Sequence, residues 1–206
     1  MSNTRNFVIL FLYTLAYAAA LLALAKIAAA DNQAFFREGN WLEGIHQGLL
    51  AGVMILAVIG AIMRPAWRNV FVALAFLGLL GSIRELNNYL NATLPVLGWQ
   101  GPAFVVLAAL AAFLIRVRRR LGQELVGFIR SDAFGMLWAG LVITALMAQQ
   151  IGHGDFLEPL LADDYQPVYK RVIEEVIEVF GYLMIALGTL QTVLRAPRGE
   201  ADASPA

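Results

Sequence analysis

The sequence predicts an all-α fold, a polytopic bundle of six transmembrane helices with both termini cytoplasmic. Three observations lead there. Of 206 residues 60% are hydrophobic and only 15% charged, and the mean hydropathy is +0.68, a balance that soluble domains do not carry. The apolar residues gather into six runs, five of them of about the 20 residues or more that a spanning helix needs. Basic residues recur in alternate connections, so a formal net charge of zero hides a segregated pattern.

The first run, residues 7–29, follows Arg5 and is broken only by Lys26. Its length exceeds the roughly 7–15 residues of a signal-peptide core, so it is expected to remain as a span although Ala28, Ala29 and Ala30 resemble a cleavage site. A polar connection, 31–40, leads to the second span, 41–63, with Glu43 and His46 in its first turns. Arg64, Pro65 and Arg68 make a basic turn. The third span, 69–90, carries Arg84 and Glu85 near its end. A charge-free stretch rich in Pro and Gly, with Trp99, reads as an interfacial turn. The fourth span is 102–115.

Residues 116–132, RVRRRLGQELVGFIRSD, place Leu121, Leu125, Phe128 and Ile129 at helical spacing among basic residues. A short amphipathic helix on the membrane surface is expected there. The fifth span, 133–152, ends near His153 and gives way to an acidic connection with Asp155, Glu158, Asp163 and Asp164. Pro167 opens the sixth span, 168–194, in the first helical turn, where proline is tolerated. The tail, 196–206, has the small, polar composition of a disordered cytoplasmic segment. No internal repeat is evident. Residues 1–195 are read as a single transmembrane domain.

Arg5, Arg64, Arg68, the arginines at 116, 118, 119, 120 and 130, and Arg195 with Arg198 all fall on one side of this topology. The positive-inside rule makes that side cytoplasmic, in an inner or plasma membrane.

The sixth span concentrates the chemistry. Arg171, Glu174, Glu175, Glu178, Tyr182 and Thr189 share a stripe about 100° wide. Counting back about 20 residues from Leu194 reaches Glu175, so Glu178 lies below the membrane surface. An ionisable group at that depth marks a functional site unless it is paired. Glu43, His46, Arg84, Glu85 and His153 fall in the same outer layer, which thereby holds both of the chain's histidines. Glu43, Glu85, Glu174, Glu175 and Glu178 outnumber Arg84, Lys170 and Arg171. The surplus carboxylates must meet water, hold a proton or bind a cation.

Three readings follow. Glu43 and His46 stand at i, i+3, as in di-iron bundles, and Glu175 and Glu178 repeat the spacing with two carboxylates where a second Glu-x-x-His is wanted. With Glu85, Glu174 and His153 they offer oxygen and nitrogen ligands suited to a divalent metal, Fe, Mn or Zn, in a membrane-embedded metal-dependent enzyme. Arg84 and Arg171 would be the counter-ions, and Tyr182, one turn below Glu178, a ligand contact. A second reading is a non-enzymatic subunit whose ion pairs serve a homo-oligomer or a membrane complex. The third is a small proton- or cation-coupled transporter, with no helix break or inner polar set to complete a pathway.

Other classes are excluded. Cysteine is absent, which removes disulfides, thiolate ligands and cysteine nucleophiles. Two histidines are too few for a three-histidine zinc hydrolase. There is no Gly-x-Ser-x-Gly elbow, no Walker loop, no Gly-x-Gly-x-x-Gly and no basic pattern for nucleic acid. The expected surroundings are the lipid bilayer.

Overall fold

The computed structural model describes residues 2–30, 41–151, 159, 161–162 and 165–195. The first polar connection, most of the acidic connection with His153, and the tail expected to be disordered lie outside the described residues. The main helices are α1 (Ser2–Ala30), α2 (Trp41–Met63), α3 (Arg68–Glu85), α4 (Asn87–Thr93), α5 (Gln100–Ile129), α6 (Asp132–Val142), α7 (Ala148–Ile151) and α8 (Pro167–Arg195). Four segments are long and apolar enough to cross a membrane: Leu42–Met63, Pro65–Glu85, Gln100–Ile129 and Lys170–Arg195. Phe11–Lys26 and Asp132–Met147 are shorter apolar helices, so four of the six expected spans meet that criterion among the described residues. The helices fall into two compact units, Met1–Gly44 with Gly140–Leu183, and Ile45–Ala139 with Met184–Ala206.

The second unit is built on a helical hairpin. Pro65 disfavours the helical region for the residue before it, and Arg64 accordingly sits at φ −127°, ψ 71°. A 3₁₀ turn, Pro65–Trp67, reverses the chain. From there α2 and α3 run back to back. A Cβ on Gly60 would overlap the Phe71 ring; one on Gly78 would lie 2.9 Å from Met54 Cγ, and one on Gly81 3.0 Å from Leu50 Cδ2. Each pair is nearly equidistant from Pro65, so glycine sets the close antiparallel approach.

Helix α3 ends five residues before its expected limit. Leu86 turns out of the helix at φ −86°, ψ 14°, ahead of two asparagines, whose side chains compete for backbone hydrogen bonds. The short α4 follows. Beyond it Gly98, at φ +52°, makes the left-handed turn, and Asn91 Oδ1 accepts from Trp99 N at 3.2 Å.

Helix α5 differs from expectation in one further way. The basic stretch does not form a separate surface helix: one helix runs from Gln100 to Ile129. Its 30 residues extend about 45 Å, and only 6% of its most apolar window is buried inside the protein. Where it does pack, Phe113 lies 6.0 Å from Phe76 of α3, and Phe128 meets Trp67 edge-on at 5.8 Å. Trp67, Val70, Phe71, Leu121, Phe128, Leu137 and Val193 form the apolar core of this unit.

Polar groups close one end of it. Glu124, buried, accepts from Asn69 N at 2.8 Å and Val70 N at 3.1 Å, and from Asn69 Nδ2 at 2.6 Å. A carboxylate thus occupies the positive N-terminus of α3. Arg64 Nε donates to Val193 O at 2.8 Å, placing a cation on the last carbonyls of α8. Ser131 Oγ caps α6 through Phe134 N at 3.4 Å, and Asp132 accepts from Arg195 at 2.6 Å.

In the first unit, Leu24, Leu42 and Val179 form a core with Val172, Val176 and Phe180, and Tyr17 stacks on Phe180 at 5.9 Å. Residues 143–147 form a π-turn continuous with α6 and α7. Buried Thr144 within it donates to Gly140 O at 3.0 Å. Gly181 of α8 packs directly on this turn: a Cβ there would overlap Thr144 Oγ1 and lie 3.1 Å from Gly140 O. Gly181→Val is therefore expected to cost about 1–3 kcal/mol by overpacking. In mild detergent that lowers the unfolding midpoint by roughly 2–4 °C per kcal/mol. Gly48→Ala, where a Cβ meets nothing within 4 Å, does not lower it.

Candidate functional site

Two elements of the second unit bring together the residues that matter most. His46 lies in the second turn of α2 and Glu85 is the last residue of α3, the ends of the hairpin farthest from its turn. The His46 imidazole is 0% exposed, and its Nδ1 is 3.0 Å from Glu85 Oε2; the Glu85 side chain is 8% exposed. One residue further along α2, Gln47 Nε2 donates to Ser82 O at 2.9 Å. That bond uses a carbonyl near the C-terminal end of α3, where helix carbonyls lose their in-helix partners.

The Arg84 side chain is 38% exposed, and its Nη1 stands 3.9 Å from Glu85 Oε1, at the outer limit of an ion pair. It adds positive potential to Glu85 without a tight hydrogen bond, and such pairs contribute little where water reaches them. The ring of His46 is oriented from Nδ1. In the tautomer that donates Nδ1–H to Glu85, the Nε2 lone pair points the opposite way, as in histidines that ligate metals.

The remaining candidates belong to the first unit. Glu178 and Tyr182 are each 4% exposed, while Glu43, Arg171, Glu174 and Glu175 are half-buried. Burial thus follows the stripe expected along α8, deepening from Arg171 toward Glu178 and Tyr182, and Thr189 in the second unit is fully buried. None of these carboxylates is without a partner. His46 and Glu85 in the second unit, and Glu178 in the first, are each of metal-ligating type with little side-chain exposure. His153 lies outside the described residues.

The Gln47 bond beside the pair has no signal in the sequence, because its partner is a backbone carbonyl, that of Ser82. Glu124 could have been found, because it falls on the spacing of Leu121 and Phe128, the inward face of an otherwise basic segment, and all three are buried.

Glu85→Leu removes the acceptor of a buried imidazole N–H and is expected to destabilise the protein by about 1–3 kcal/mol. Glu85→Gln keeps an oxygen acceptor and costs less. Urea or thermal unfolding of the two variants in one detergent checks the order.

Comparison of the chain with protein-family models, with curated proteins and with solved structures gives no match.

Proposed function

We propose that this chain is a multi-pass inner-membrane protein that binds a divalent metal on His46 in the outer part of its helices. The observation that carries the reading is the fully buried imidazole held 3.0 Å from the Glu85 carboxylate. A carboxylate on Nδ1 fixes the tautomer and raises the basicity of Nε2, which is how proteins prepare a histidine to ligate a metal. In this scheme Glu85 positions the ring, or shares the metal through its second oxygen. Glu178 is the first choice for a further oxygen ligand, because the sequence places it at the same depth and its side chain is buried. Glu43, Glu174, Glu175 and His153 are the other candidates. Arg84 and Arg171 serve as counter-ions, and Tyr182 as a ligand contact.

Imidazole with carboxylates and no thiolate suits iron, manganese or zinc. A metal held in this way supplies Lewis acidity, or a water of lowered pKa, to a substrate in the outer leaflet. The orientation, with both termini cytoplasmic, rests on the positive-inside pattern. Along α2 the basic turn at Arg64 and His46 are about 27 Å apart, so the two lie near opposite ends of that helix.

A second reading is favoured by the Gln47 to Ser82 bond beside the site. Such a bond ties two helices and does no chemistry, so the His46 and Glu85 pair would be a structural lock in a membrane-complex subunit.

Elemental analysis decides between them. The protein is purified in mild detergent without a metal-affinity tag, beside His46→Gln and Glu178→Gln variants that elute as the wild type does. The metal reading expects close to one iron, manganese or zinc per chain, reduced at least five-fold in both variants. Metal-free wild-type protein, with stability lowered only by His46→Gln, would sink it in favour of the structural lock.

A further inference from the structure

At the opposite end of the second unit from His46, α5 carries Arg116, Arg118, Arg119 and Arg120 within two turns. All four are exposed, and none has an ion-pair partner among the described residues. The nearest acids are committed elsewhere: Glu124 to the N-terminus of α3 and Asp132 to Arg195. Four guanidinium groups on five consecutive residues repel one another, a cost that a bound anion offsets. They also line a cavity of about 590 Å³ whose other polar wall is Asn69, at the start of α3.

Depth identifies the anion. The apolar part of α5, from Gln100 to Ile115, spans 16 residues, about 24 Å, and its side chains Phe104, Val105 and Ile115 are exposed as lipid-facing residues are. That is about 6 Å short of a hydrocarbon core roughly 30 Å thick, a gap that long arginine side chains close by reaching outward to the headgroups. Because the helix continues unbroken to Ile129, the arginines are held at that level on a rigid rod. Arg116 and Arg120, one turn apart on one face, can each present a fork of donors to phosphate oxygens.

We propose that this cavity is a binding site for the phosphate of an anionic phospholipid headgroup. Ile115 at the rim meets the start of the acyl chains, and Asn69 closes the inner side. The site differs from the general attraction of basic loops to anionic membranes in needing particular arginines at one place.

The test is native mass spectrometry of the delipidated full-length chain. The protein is titrated with phosphatidylglycerol, with phosphatidylcholine of the same acyl chains, and with inorganic phosphate. A retained phosphatidylglycerol adduct at least ten-fold tighter than the phosphatidylcholine adduct is expected. Arg116→Gln combined with Arg120→Gln should erase that preference, and the paired lysine replacements, which keep the charge but lose the fork, should weaken it. Arg68→Gln with Arg130→Gln removes the same charge outside the cavity and should leave it intact. Equal loss in both glutamine pairs would reduce the effect to net charge and overturn the site. So would equal binding of the two lipids, or phosphate displacing phosphatidylglycerol at equal concentration.

Discussion

A charge or a polar ring buried among apolar helices has no water to turn to, and the hydrogen bond between His46 and Glu85 shows how this chain meets that constraint. The pair joins the two ends of the α2 and α3 hairpin that lie farthest from the Pro65 turn. Between turn and pair the two helices touch through small residues, Gly60 against Phe71 and Gly78 against Met54. That contact is apolar and has little directional content. The hydrogen bond, with Gln47 on Ser82 beside it, adds direction: sliding one helix past the other by a turn would strand an imidazole and a carboxylate in a low dielectric. The register of the hairpin and the geometry of the candidate site are thus one fact.

The same logic governs the basic end of the second unit. A helix in lipid satisfies its own backbone except at its termini. Glu124 fills the amide end of α3 and Arg64 the carbonyl end of α8, so each buried charge answers a helix dipole. Neither is a spare group awaiting a ligand. The exposed arginines of α5 have no such employment, which separates them chemically from the arginine buried one helix away.

Within the long helices, polar side chains that face inward are satisfied locally. Thr189 and Thr192 donate to the carbonyls of Ile185 and Gly188, and Thr144 to Gly140 within its π-turn. Back-bonding of this kind lets a hydroxyl be buried without a partner from another helix. Glu178 has no equivalent escape, since an ionised carboxylate only accepts hydrogen bonds and cannot use its own helix's carbonyls.

Composition and periodicity alone made legible the helical character and the helices long and apolar enough to cross a membrane, because hydropathy and a 3.6-residue repeat are properties of each segment by itself. They also marked the inward stripe of α8, where Glu178, Tyr182 and Thr189 are indeed buried, and the turn at Pro65. Two things stayed hidden. Nothing local distinguished the 116–129 stretch as a continuation of α5 rather than a separate surface helix, since arginine, leucine, glutamine and glutamate propagate a helix equally well in either case. And no spacing rule names partners on different helices: that His46 meets Glu85, that Gln47 finds a backbone carbonyl of α3, and that Glu124 turns away from its basic neighbours to cap α3 are decided by how whole helices pack. The sequence determined which groups cannot remain unpaired among apolar helices; only the tertiary structure decided their partners, because pairing depends on distances between segments that no local pattern encodes.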